Sequence, residues 1–157
     1  MNLPPFQALL DEHRVDVYRF LVATAGPDDA DDCFQETWIA ALRAYPGLRS
    51  TENLRGWLLK IAQRKAIDAH RARGRRPVPA ASVPERAAAP AVAAGGDEPE
   101  LWAALHGLPD KQRTAVFCRS VLGLRYPELA DLLDSSEDAA RRNVHEGLKR
   151  LKKEWTP

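Results

Sequence analysis

Residues 77–99, PVPAASVPERAAAPAVAAGGDEP, constrain the fold more than any other stretch of this chain. They are mostly Ala, Pro, Gly and Val, with no aromatic residue and no apolar stripe at helical spacing. Such a composition reads as a linker. A flexible chain of 23 residues spans roughly 25 Å root-mean-square and stretches to about 75 Å. The 157 residues therefore divide into a domain over 1–76, the linker over 77–99 and a domain over 100–157. On both sides apolar residues recur at helical spacing, and the fold class expected is all-α, two small helical domains.

The first domain reads as three helices. Over 6–21, Phe6, Leu9, Leu10, Val17, Phe20 and Leu21 share one face, and Gly26-Pro27 ends the pattern. A second helix is expected over 28–45, stopped by Pro46-Gly47, with Ala30, Cys33, Phe34, Trp38, Ala41 and Leu42 inward. Its start, residues 28–36, holds five acids and no base. Asp31, Asp32, Gln35, Glu36 and Ile39 are left on the outer side, an apolar residue among acids, which suits a basic protein partner with an apolar spot. After a polar loop, Ser50, Thr51 or Asn53 is placed to cap a third helix. There Leu54, Leu58, Ile61, Ala62 and Ala66 form the packing stripe, and Lys60, Arg64 and Arg71 fall on another. Arg73, Arg75 and Arg76 extend the positive charge, so residues 60–76 hold seven bases against Asp68 alone. A helix that packs on one side and is cationic on the other suits contact with phosphates. Trp57 is expected in the core rather than as a stacking platform.

The second domain reads as a short helix ending at Leu108-Pro109 and another over 110–122 burying Ala115, Val116, Cys118 or the stem of its neighbour Arg119, and Leu122. A short PELADLL helix follows, then a DSS turn, then a long helix capped by Ser135 or Ser136. Ala140, Val144, Gly147, Leu148 and Leu151 make its inner stripe, and Arg141, Arg142, His145 and Lys149 point outward. Two helices about a tight turn, the second with basic residues exposed, form a helix-turn-helix pattern.

The net charge of +1 hides segregation, acidic early and basic in the middle and at the end, which suggests surfaces for different partners. Cys33 and Cys118, far apart and without CxxC spacing, suit reduced thiols within helices. His13, His70, His106 and His145 lie in four segments without metal-ligand spacing, and no glycine-rich phosphate loop or nucleophile motif is present. No metal site, no cofactor and no enzymatic activity are expected. The N-terminus lacks a signal-peptide pattern and no apolar run is long enough for a membrane, so a soluble cytoplasmic chain is expected.

With these stretches in order, the chain resembles the bacterial extracytoplasmic-function (ECF) sigma factors, promoter-recognition subunits of RNA polymerase. ADDCFQETWIAAL over 30–42 resembles the family's acidic helix, and NLRGWLLKIAQRKAIDAHRARGRRP over 53–77 its promoter-melting helix. LHGLPDKQRTAVFCRSVLGLRYPELADLL over 105–133 resembles the start of its C-terminal promoter-reading domain, with Leu-Pro-x-x-Gln-Arg and Tyr-x-Glu-Leu-Ala signatures. The resemblance implies that Asp32, Gln35, Glu36 and Ile39 bind core RNA polymerase at the coiled-coil of its largest subunit. It implies that the loop over 47–53 and Lys60, Gln63, Arg64 and Arg71 recognise and open the minus-ten element of promoter DNA. It assigns Arg141, Arg142, His145 and Lys149 to DNA at the minus-thirty-five element, and an anti-sigma factor as a further partner.

The chain departs from the family's pattern at several points. Arg64 stands where many members have asparagine, Asp134 at the usual Gly of the turn, and Arg125 at the usual Ser before Tyr126. The final helix opens Ser-Ser-Glu-Asp-Ala-Ala, its acids Glu137 and Asp138 repelling phosphates while suiting the helix dipole, and Glu146 replaces a frequent base. Two outcomes stay open: an unusual recognition sequence, or weak DNA binding that depends on the polymerase. A degenerate sigma-like protein and a stand-alone helix-turn-helix regulator are the competing readings. The acidic and basic faces of the first domain argue against the regulator, which needs neither.

Overall fold

The computed structural model describes residues 3–75 and 99–154, with the side chains of 75, 99 and 154 left aside. All regular structure among them is helical, and the chain separates into two units. The linker expected over 77–99 lies outside the described residues except for Pro99, which already belongs to a helix; Arg76 and residues 155–157 also lie outside the described residues.

The first unit packs α1 (Phe6–Ala25), α2 (Ala30–Ala44) and α3 (Leu54–Arg75) against one another, with a 3-10 turn, Tyr45–Gly47, after α2. Helix α1 runs a turn beyond the expected end at Leu21. Residues Leu21, Val22, Ala23, Thr24 and Ala25 are all buried, so no polar face marks them as helical. Thr24 satisfies its hydroxyl by donating to the Phe20 carbonyl at 2.8 Å. Gly26, at φ 90°, then turns the chain, and Asp29 and Ala30 donate back to its carbonyl before α2 begins. Helix α2 thus starts at Ala30 rather than Asp28.

The cap of α3 is Asn53, whose Oδ1 accepts from the Gly56 amide at 3.0 Å, while Ser50 closes a local turn onto Glu52. The buried stripe of α3 is Leu58, Leu59, Ala62 and Ala66, with Leu54 and Ile61 half-buried. Edge-on aromatic contacts link Phe6 to Trp38 and Tyr45, and Phe34 to Tyr18 and Trp38. Trp57, half-buried, meets Tyr45 at 6.2 Å between ring centroids, so it belongs to this packing as expected.

The second unit comprises α4 (Pro99–His106), α5 (Asp110–Ser120), α6 (Tyr126–Leu132) and α7 (Glu137–Glu154). Helix α7 packs on α4, α5 and α6. Leu108, Ala115, Val116, Phe117, Cys118, Leu122, Leu124, Leu129, Ala140 and Val144 fill the core. Gly147 allows the close approach of α7 to α5: a Cβ there would lie 2.5 Å from Val116 Cγ2 and 3.2 Å from the Gln112 carbonyl oxygen. The expected inner stripe of α7 needs a correction at Leu148, which is 43% exposed, one position past the face that Gly147 keeps inside. Ser136 caps α7, its Oγ accepting from the Ala139 amide at 3.1 Å.

Candidate functional site

Helix α2 presents Asp32, Gln35, Glu36 and Ile39 to solvent, as the sequence pattern expects. Asp31 is the exception on that face. It is half-buried and accepts the Tyr18 hydroxyl proton at 2.6 Å, which ties α2 to α1. The acids before it are also engaged within the unit: Arg73 meets Asp29 at 2.7 Å and Asp28 at 3.6 Å. The run of five acids is therefore divided, with Asp32 and Glu36 left for the outer face. Leu42, expected inward, is 56% exposed beside Ile39 at 51%. Three residues apart on a helix, the two make an apolar spot at the C-terminal end of an acidic stripe. Sequence periodicity missed Leu42 because Ala41 and Leu42 are both apolar, and only packing decides which of them faces inward.

Cys33 lies beneath this face, 2% exposed, with its Sγ 3.6 Å from the Lys65 carbonyl oxygen. Burial first, and then the nearby carboxylates of Asp29, Glu36, Asp32 and Asp68, push its thiol up to about 11. It is a packed, protonated thiol, as the sequence suggests, and Cys118 is buried too.

On α3, Arg64 and Arg71 are exposed, whereas Lys60 and Gln63 are half-buried. Arg73 contributes to holding α3 on the start of α2 rather than extending an unopposed basic exit. His70 sets the register between α3 and α1, its Nε2 lying 2.7 Å from the Thr24 carbonyl oxygen, to which it donates. Arg55 meets Asp16 of α1 at 3.5 Å.

In the second unit, the turn between α6 and α7 is closed by backbone hydrogen bonds. The Ser135 amide reaches back to the Ala130 carbonyl at 2.9 Å, and the Asp134 amide to that of Asp131 at 3.3 Å. This is the paired closure of a helix C-terminus, with Asp134 in the left-handed region at φ 52°. Arg113, of the Leu-Pro-x-x-Gln-Arg signature, is buried and donates to the carbonyls of His106 and Leu108 and to Asp110. It closes the end of α4 and fixes the loop into α5, a structural rather than a ligand-facing role. The Glu128 carboxylate fixes the start of α6, its Oε1 accepting from the Arg125 amide at 3.2 Å and from Arg125 Nε at 3.0 Å.

Helix α7 exposes all four residues assigned to DNA: Arg141, Arg142, His145 and Lys149. They are not equivalent. The Arg141 guanidinium lies 4.8 Å over the Tyr126 ring and 4.0 and 3.9 Å from Glu137 and Asp138. Arg119 also covers Tyr126, at 4.5 Å, and donates to the Leu124 carbonyl at 2.9 Å. Among the described residues no group of three His, Cys, Asp or Glu side chains is arranged to hold a metal ion, and no helix is long and apolar enough to cross a membrane.

Comparison with known proteins matches the Sigma-70 region 2 model over residues 9–76 and the Sigma-70, region 4 model over residues 99–151. The ECF RNA polymerase sigma factor SigX of Bacillus subtilis is 30% identical over 159 residues, covering 94% of this chain and 82% of SigX. The chain belongs to the ECF sigma factor family. SigD of Mycobacterium tuberculosis is 38% identical over 135 residues, covering 80% of the chain but only 62% of SigD. The fold is also that of the sigma factor RpoE of Bartonella quintana, solved with the anti-sigma factor NepR. The match has a TM-score of 0.78, 22% identity and 94% coverage of both chains. CnrH, solved with the cytosolic domain of CnrY, matches at TM-score 0.70 and 21% identity over 94% of this chain and 85% of CnrH. The two units of this ECF sigma factor fold thus correspond to regions 2 and 4 of the family.

Proposed function

We propose that this chain is a promoter-specificity subunit of RNA polymerase, acting without covalent chemistry of its own. It binds core polymerase, directs it to a class of promoters and helps open the start site. The observation that carries the reading is the separation of three surfaces: acidic and apolar on α2, cationic on α3, and an exposed basic line on the second helix of a helix-turn-helix.

Asp32, Gln35, Glu36 and Ile39, with Leu42 added, form the polymerase-binding face on α2. Charge complementarity steers the encounter, and the apolar pair supplies the desolvated contact that slows dissociation. Arg64 and Arg71 grip the opened strand on α3, with Lys60 and Gln63 beside them contacting unstacked bases of the minus-ten element. The second unit, residues 100–157, reads the minus-thirty-five element in duplex form through α7. Residues 77–99 serve as the tether between the units. An anti-sigma factor is a natural further partner, since RpoE and CnrH were each solved with a partner protein.

Transcription in vitro tests the reading. The purified chain is added to core polymerase on fragmented genomic DNA of the source organism, and new RNA starts are mapped. Discrete starts sharing a pair of upstream elements support it. Binding to core without new starts favours a degenerate, polymerase-occupying protein, for which the acids at the start of α7 are the motivating feature. Failure to bind core refutes the proposal and leaves a helix-turn-helix regulator to test.

A further inference from the structure

Asp138, Arg142, His145 and Lys149 follow one another along α7 at steps of four, three and four, which places them on one line, and all are exposed. Asp138, its side chain 91% exposed, heads this line in the first turn. Arg141 belongs to the adjacent row with Glu137 and is turned toward α6 by its stack on Tyr126. Its planar guanidinium stacks on the Tyr126 ring beside Glu137, and a rotation into the groove would give up both contacts, whereas Asp138, 3.9 Å away and 91% exposed, can leave it for a base at little cost.

We propose that Asp138 and Arg142 form the base-selecting pair of α7, taking a cytosine and a neighbouring guanine, and that Arg141 is a positioning residue. This rests on the promoter-reading role above. The N-terminal residues of the second helix of such a motif are those that meet base edges in the major groove. A carboxylate there only accepts hydrogen bonds. Guanine offers N7 and O6 and thymine O4, all acceptors that repel it; adenine pairs its N6 donor with the N7 acceptor beside it. Cytosine, with its N4 amino donor, is the base that suits Asp138. Arg142, one turn on, matches the guanine N7 and O6 pair by a bidentate contact. The carboxylate adds no attraction for phosphates, so it contributes selectivity while Lys149 and the polymerase contribute affinity. Arg141 orients α7 by joining it to the ring of α6 that Arg119 also covers.

The test uses the full chain bound to core polymerase and a duplex library randomised upstream of a start site mapped as above. The wild type selects a cytosine and a guanine within one short element. Asp138→Ala removes the cytosine preference, of about tenfold, and leaves the other positions unchanged. Asp138→Asn moves that preference toward adenine, because an amide both donates and accepts. Arg142→Ala removes the guanine preference alone. Arg141→Ala lowers affinity at every sequence without changing which bases are chosen. The assignment is overturned if Arg141→Ala erases one base preference, or if Asp138→Ala leaves every preference intact. A wild-type complex that starts transcription but selects no upstream sequence sinks the pair and promoter reading by α7 together. Failure to bind core polymerase instead sinks the wider reading.

Discussion

Asp134 shows how a residue can occupy a position built for glycine. The left-handed region costs an ordinary L-residue roughly 1–2 kcal/mol, and aspartate bears it better than most. The closure of α6 needs that conformation, since both returning amides depend on it. Asp134→Gly is therefore expected to stabilise the second unit by about 0.5 kcal/mol, the strain relieved exceeding the added freedom of the unfolded chain. Chemical denaturation of wild type and variant checks this, and a loss of stability would show that the carboxylate earns its place by its own contacts. Cys33 gives a second expectation. Its protonated, buried thiol should resist an aromatic disulfide reagent at pH 8 until the chain is unfolded. Because its folded pKa is raised, the stability it confers is complete below its ordinary value of 9.0 and is lost as pH rises through about 11. Rapid modification in the native protein would contradict the packing described.

At the scale of the element, α2 and α7 each carry two functions on neighbouring rows. Helix α2 uses Asp31 for Tyr18 and keeps Asp32 and Glu36 outward, with Ile39 and Leu42 completing the exposed side. Exposed apolar residues contribute little to folding, so replacing Ile39 and Leu42 by Asp leaves the thermal midpoint within a few degrees. The same change is expected to weaken core-polymerase binding at least tenfold, by replacing the apolar contact of the face with two desolvated charges. Binding measured against wild type decides it, and unaltered affinity would place the docking surface elsewhere. On α7, the row that holds Arg141 serves packing against α6, whereas the row from Asp138 to Lys149 is exposed, with Asp138 lying 3.9 Å from Arg141. Helical spacing in the sequence marks both rows as exposed, but it does not distinguish an arginine stacked on a ring from one left outward.

For the molecule as a whole, division into two units means that each has its own stability and its own pH response. In the second unit, burial, with Arg113 nearby, lowers the pKa of His106 below its ordinary 6.5. The folded state then binds fewer protons at this site than the unfolded state. The contribution of His106 is fully present above pH 6.5 and declines as pH falls toward the depressed folded value. Thermal unfolding from pH 8 to 5 should show the second unit losing stability, and His106→Gln should flatten that dependence. An equal slope in both would mean that other groups carry it.

The sequence by itself determined the all-helical class, the breaks between helices, the acidic and basic segregation and the helix-turn-helix, because each follows from spacing, capping chemistry or charge along the chain. Asn53 and Ser136 were legible as caps for the same reason: a side-chain oxygen two or three residues before free amides is a local feature. What only tertiary structure decided was which side of a mixed surface each helix turns inward. Ala41 could go in and leave Leu42 out because it is small enough for the close packing of α2. Asp28, Asp29 and Asp31 left the acidic face because Arg73 and Tyr18 arrive from other helices. Arg141, still exposed, was turned toward α6 by Tyr126, fifteen positions away in the chain. These are pairings between distant residues, and periodicity along one helix carries no information about them.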